Sequence, residues 1–314
     1  MHGAHSAAWR HGVAIGICTI AMLTTMPLTL AQATRPAGTL DRIRQSGRFR
    51  LGYREDARPF SYKNESGQTA GYSVALCQKV ADDVKRERQL PVLTVEWVPV
   101  SFDGRFRALQ EGRIDLLCGA DTVTLARRQD VAFSIPIFPG GIGALVRTDA
   151  PARLREVLAG RGQVFHPVWR ASATTLLQSR AFSVVAGTTA ETWLKQRMSD
   201  LEVVAVVASV NAYETGLRGL LDRKSDVFFG ERAILLDAAR RSPSARDLTL
   251  VDRLFTFEPL AFALGRGDDD FRLLVDRALS RLYRSGAIGG VYANAFGEPD
   301  ENALTFFRWN ALPD

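Results

Sequence analysis

The run IDLLCGA, Ile114 to Ala120, decides how the chain is built. It is short and apolar, and a helical pattern, FRALQEGR (106–113), precedes it. A strand that reads apolar nearly throughout is buried on both faces, as in a parallel sheet with helices above and below. Working back, LTVEWVPV (93–100) reads as a strand and FRLGY (49–53) as an earlier one. Between them GYSVALCQKVADDVKRE (71–87) sets Val74, Leu76, Cys77, Val80 and Val84 near helical spacing. TLDRIRQSG (39–47) is a short helix closed by Gly47. The order β-α-β-α-β implies a parallel sheet covered by helices.

The same grammar restarts past residue 180. AFSVVAG (181–187) is a strand, Thr188 and Thr189 look like caps for the helix AETWLKQRM, and LEVVAVV (201–207) is a further strand. YETGLRGLLDRK is helical, SDVFFG a strand and ERAILLDAARR a helix. LTLVDRLFTFEPLAFALG (248–265) holds two β-like runs, and residues 268–296 read as a pair of helices. The expectation is an α/β protein of two lobes, each with its own core, joined by extended segments near IFPGGIGALVR and FEPLAFALG. Two crossings make the first lobe discontinuous and the joint a hinge. The expected parts are a leader at 34–46, lobe 1 at 47–146 and 257–300, lobe 2 at 147–256 with an elaboration at 150–180, and a tail at 301–314.

Residues 1–33 carry one Arg and no acid, then the apolar run GVAIGICTIAMLTTMPLTLA, then Ala31-Gln32-Ala33. Small residues at those two positions fit a cleaved export signal. An uncleaved anchor is the rival reading, but Thr24, Thr25 and Pro27 interrupt the run. Cleavage lowers the net charge from +6 to +5 and leaves 281 residues with one histidine, His166, and two cysteines, Cys77 and Cys118. A metal centre or a Ser-His-Asp triad would have to run through His166 alone, so neither metal nor cofactor is expected. The spread-out positive charge excludes a nucleic-acid footprint. Cys77 and Cys118 are either a disulfide, in an oxidising compartment, or two buried thiols.

Ligands of open α/β sheets sit outside the carboxyl ends of the strands. Polar clusters fall at such ends: Arg54 after FRLGY, Asp121, Thr122 and Thr124 after DLLCG, Thr188 and Thr189 after FSVVAG, and Glu231 after SDVFFG. Four clusters divided between two lobes point to a ligand clamped in the cleft.

Over residues 39 to 300 the chain resembles the periplasmic amino-acid-binding proteins of polar amino-acid ABC importers, solute-binding family 3, with a type II, venus-flytrap fold. The resemblance rests on TLDRIRQSGRFRLGYRED, GYSVALCQKVA, ALQEGRIDLLCGADTVTLARRQDVAFSIPIF, AGTTAETWL, DVFFGERAILL and EPLAFALGRGDDDFRLLVDRALSRLYRSG. It implies that Arg127 takes the ligand α-carboxylate as a two-pronged pair, with Thr122 and Thr189 beside it and Glu231 at the α-ammonium. Arg128 is read as a solvated basic residue. Arg54 and Arg105 match the glutamate/aspartate-binding branch and would face a side-chain carboxylate. For Arg54 the competing reading is a local salt bridge to Glu55 or Asp56, for Arg105 a surface helix start, and for Glu231 an acid favoured by its helix dipole.

Departures leave the ligand open between acidic and neutral polar. Asp121 stands where a small hydroxyl residue is common, Phe102 replaces a serine, Tyr213 a histidine and Ala57 an aromatic. Tyr62, Phe60 and Phe138 either wall the site or lie in the core. The resemblance also implies a monomer located in the periplasm, a membrane permease as partner and no catalysis. A dehydratase-like enzyme of the cyclohexadienyl type and a ligand-delivering sensor partner are the alternatives. His166 and Trp169 lie in a lobe-2 elaboration longer than the usual link.

Overall fold

The computed structural model describes residues 38–161 and 176–313. The expected export signal and the elaboration around His166 and Trp169 lie outside the described residues. Two main sheets carry the fold, and the chain is a two-lobed α/β protein. The first sheet has the spatial order Thr94–Pro99, Arg48–Tyr53, Leu116–Thr122, Glu258–Leu264 and Ala132–Phe133, with Phe138–Gly140 also pairing to Glu258–Leu264. Its first three strands are parallel and Glu258–Leu264 runs antiparallel to Leu116–Thr122. The second sheet has the order Val206–Val210, Ala181–Val185, Val227–Glu231, Ile142–Arg147 and Leu248–Leu250. Its first three strands are likewise parallel, whereas Ile142–Arg147 is antiparallel to both of its neighbours.

Local sequence explains most elements. Thr39–Ser46 is a helix that ends on Gly47 in the left-handed region at φ 66°, where the Gly47 amide donates to the Ile43 carbonyl. Thr188 caps the helix Thr189–Asp200: its hydroxyl accepts from the Glu191 amide, while Glu191 accepts from Gly187 N at 2.7 Å. This reciprocal use of Thr and Glu satisfies two amides at a helix start. Leu116–Thr122 is buried nearly throughout, and Asp115 just before it is compensated by Arg42 and Arg50.

Four expectations are corrected. LEVVAVV is not a strand over its length; the chain turns at Leu201–Glu202, with Glu202 at φ 53°, and pairing begins only at Val206. The strand Ile142–Arg147, placed by the sequence in lobe 1, belongs to the second sheet, because six consecutive buried residues suit a central strand and not a connector. The leader and the tail are not apart from the first lobe: Thr39–Ser46, the helix read from TLDRIRQSG, and Glu301–Asn310, also a helix, pack on it, with Leu40, Ile43, Ala303 and Phe307 buried. The cores are only partly separate: Phe182, Leu194 and Phe229 belong to a core confined to the second lobe and Val100, Leu109 and Phe133 to one confined to the first. A third apolar cluster includes Phe49, Leu76, Phe271, Ile137 and Phe138 as well as Ile234, Tyr213 and Phe228.

Cys77, in the helix Tyr72–Glu87, is disulfide-bonded to Cys118 in the strand Leu116–Thr122, with the Cα atoms 6.1 Å apart. Ser73 of that helix also donates to the Gly119 carbonyl at 2.8 Å. The helix is therefore fixed to the strand whose carboxyl end carries Asp121 and Thr122. Phe60 and Phe138 belong to the core, packed edge to face at 4.9 Å, and do not wall a site. Tyr62 lies under Arg58, 4.4 Å from its guanidinium, and Ala57 is fully buried. No helix among the described residues is long and apolar enough to cross a membrane.

Candidate functional site

The strand ends of the two sheets meet around a cleft with about 530 Å³ of empty space, counting the mouth that opens to solvent. It is lined from the first lobe by Arg54, Phe102, Arg105, Ala120, Thr122, Arg127 and Glu258, and from the second by Thr188, Thr189, Tyr213, Glu231 and Ile234, among others. Of the nine residues expected at a ligand, eight line this cleft. The ninth, Asp121, sits behind Arg105 at 1% exposure.

Three guanidiniums occupy the first-lobe wall, and they are held differently. Arg54, 5% exposed, ends the first strand; its Nε and Nη2 both reach Asp56 Oδ1, at 2.8 and 2.6 Å. The local salt bridge expected as a competing reading is thus present, and Arg54 nevertheless lines the cleft. Glu55 is engaged elsewhere, by Tyr53 and Lys63. Arg105, 4% exposed, is no surface residue: Nε donates to Asp121 Oδ1 at 2.6 Å and Nη1 to the Phe102 carbonyl.

Arg127, half-buried at the 3-10 turn Arg127–Gln129, donates from Nη1 to the Thr122 carbonyl at 2.9 Å. It has no carboxylate partner among the described residues, and burial lowers its pKa against the opposing pull of Asp121. Arg128 is exposed.

Aromatic rings link the three cations. The Arg54 and Arg105 guanidinium carbons lie 4.8 and 4.0 Å from the Phe102 ring centre, and Arg105 and Arg127 lie 4.1 and 5.7 Å from that of Phe106. A cation over a ring face is attracted by its quadrupole, more strongly when desolvated. The rings thus offset part of the repulsion among three like charges. Asp121 contributes the rest at Arg105, yet its Oδ2 has no hydrogen-bond partner among the described residues.

The second-lobe wall is acidic and polar. Glu231 caps the helix Arg232–Arg241: Oε1 accepts from Ala233 N at 3.1 Å, and Oε2 from Gly141 N at 3.3 Å. Burial outweighs these donors and pushes its pKa up to about 7. The Tyr213 hydroxyl accepts from the Glu231 amide, and burial raises the Tyr213 pKa. Thr189, the first residue of its helix, donates from Oγ1 to Glu258 Oε2 at 2.6 Å. Thr256 Oγ1 donates to the other Glu258 oxygen and accepts from Ile142 N. One hydroxyl–carboxylate contact thereby ties the second lobe to the strand that returns to the first.

Glu258 was not singled out by sequence reasoning, although an acid inside the apolar run FTFEPLAFAL at a lobe crossing was a usable signal. Phe102 registered only as a departure from a pattern, and Gly141, Ile142 and Ile234 gave none. Among the described residues no cluster of His, Cys, Asp and Glu could hold a metal ion.

A two-lobed α/β molecule with a small polar cleft at opposed strand ends defines a class of ligand-capturing proteins. Residues 49–298 match the bacterial extracellular solute-binding proteins, family 3, and the chain belongs to that family. It is 28% identical over 281 residues to the L-glutamate/L-aspartate-binding protein of Pseudomonas aeruginosa, covering 89% of this chain and 86% of that one. It is 24% identical over 269 residues to the glutamate/aspartate import solute-binding protein of Escherichia coli K12, covering 85% and 83%. The crystal structure of the ancestral amino acid-binding protein AncCDT-1, a precursor of cyclohexadienyl dehydratase, superposes with a TM-score of 0.67 at 24% identity, covering 83% of this chain and 100% of that chain.

Proposed function

We propose that the protein captures an acidic or polar amino acid between its lobes in the periplasm, as a monomer, and presents it to the membrane permease of an ABC importer. The observation that carries this reading is Arg127: a half-buried guanidinium in the cleft with a carbonyl but no carboxylate for a partner. A carboxylate arriving there gains charged, directional hydrogen bonds that are strong because water is excluded. The helix start at Thr189 faces the same space and favours an anion. Glu231, across the cleft, is the acid available for an ammonium group.

In this reading a zwitterion suits both walls at once, and closure follows because the ligand binds the closed arrangement better than the open one. Names of relatives support an amino acid and favour glutamate or aspartate. A thermal-shift screen of the purified chain against the twenty amino acids, cystine and small carboxylates tests it. Stabilisation by one or a few amino acids is expected. Stabilisation by none, or conversion of arogenate or prephenate into a new compound, would defeat it.

A further inference from the structure

If Arg127, the Thr189 helix start and Glu231 hold the zwitterionic head of the ligand, as proposed above, the rest of the ligand faces Arg54, Arg105 and Phe102. Two guanidiniums alone would make that end strongly selective for a second carboxylate. They are not alone. Arg54 is paired with Asp56 and Arg105 with Asp121. Two cations facing two anions leave no net charge at this end of the cleft.

The hydrogen-bond inventory is a separate matter. A guanidinium carries five N–H donors. Arg54 spends Nε and one Nη2 hydrogen on Asp56, which leaves Nη1; Arg105 spends Nε and one Nη1 hydrogen on Asp121 and the Phe102 carbonyl, which leaves Nη2. What remains is a pair of donors with their charge already compensated. They want an acceptor oxygen, and they have little further use for an anion.

We infer that Asp121 is a specificity-determining residue, and that the side-chain end of the cleft accepts an amide oxygen on nearly the same terms as a carboxylate. The favoured class is then an amino acid with a short acceptor side chain, glutamine as well as glutamate. Basic side chains are turned away, because the charged groups that line this end of the cleft are guanidinium donors, while the unpartnered Asp121 Oδ2 sits behind Arg105 and does not line it. Of the two aspartates, Asp121 matters more. It is 1% exposed, whereas the Asp56 side chain is 44% exposed and its field is screened by water.

Isothermal titration of the mature chain with L-glutamate and L-glutamine tests the inference. The two dissociation constants are expected to agree within about tenfold, since a charged hydrogen bond retains a modest advantage over a neutral one. Asp121→Asn is expected to widen the ratio toward glutamate by about tenfold or more, and Asp56→Asn by less than about threefold. A wild-type preference for glutamate beyond about a hundredfold, or an unchanged ratio in Asp121→Asn, would overturn it. If Asp121→Asn does not fold, the wild-type ratio decides alone. Heat with cystine or another amino acid, but with neither of these two, defeats this inference and leaves amino-acid capture standing. Silence with every amino acid removes the reading on which it rests.

Discussion

The two walls of the cleft are built on opposite plans. The first-lobe wall holds three guanidiniums, interleaved with Phe102 and Phe106, around the end of a central strand fastened to its covering helix by Cys77–Cys118. The second-lobe wall holds a helix start, a buried phenol and an acid whose oxygens are already given to backbone amides. One side presents guanidinium donors and is pinned; the other is acidic and polar, with groups that satisfy one another. The contrast teaches that neither wall alone suits an amino acid, whose two charges lie close together. It takes both.

The sharpest way to break this comparison is at the first-lobe wall. Arg127→Ala should weaken amino-acid binding by about a thousandfold, since truncating a buried charged partner costs 2–5 kcal/mol or more. Its melting temperature should barely move, because among the described residues its guanidinium donates to one carbonyl. Arg128→Ala is the control, and equal losses in the two variants would erase the special place of Arg127. The pinning is tested next. Cys77→Ser should cost about 2–4 kcal/mol in urea unfolding, given the 41-residue separation of the bridged cysteines. Reducing agent should lower wild-type stability similarly and leave the variant unchanged.

The acidic wall supplies a pH test. The Glu231 carboxyl has a folded pKa of about 7, above its ordinary 4.5, so the folded state holds this proton more tightly than the unfolded one. That contribution is full below about pH 4.5 and is lost as pH rises through about 7. Glu231→Gln should flatten that part of the stability profile, and an unchanged profile would remove Glu231 as its source. An ammonium placed at Glu231 favours the ionised form, so ligand binding at pH 6 should release a proton, read from titrations in buffers of different ionisation enthalpy. The smallest effect is expected at the lobe-to-lobe bond. Thr189→Val, which removes the donor to Glu258, should weaken binding by about tenfold, mostly through faster dissociation. Unchanged affinity would mean that this bond does not favour the closed arrangement.

Much of this was legible in the sequence, for a physical reason. Parallel strands buried on both faces write themselves as unbroken apolar runs, so IDLLCGA, FSVVAG and SDVFFG located both sheets and, with them, the strand ends that line the cleft. The rule failed where burial failed. Val206–Val210 is a largely exposed edge strand, with Val206 itself 68% exposed, so the apolar letters before it gave no register and drew the strand several residues early. Ile142–Arg147 failed in the opposite sense: GIGALV reads as a connector, but its small residues let it sit in the middle of a sheet, with the Arg232 side chain 3.0 Å from where a Cβ on Gly143 would stand. Arg54 and Asp121 could be named from strand-end position, whereas Arg105 and Arg127, at a helix start and a 3-10 turn, came only through the family resemblance. Which acid neutralises which arginine could not be named, because Asp56 and Asp121 are assigned only by how the chain turns.

The alternation of cation and ring along Arg54, Phe102, Arg105, Phe106 and Arg127 has a consequence for how such a cleft can change over generations. Five side chains from three short segments share their faces, and each of the middle three, Phe102, Arg105 and Phe106, touches two neighbours, so exchanging one disturbs both. A lineage drifting toward a new solute would more easily alter Asp56 or Asp121, each paired with one arginine, than the row those arginines build.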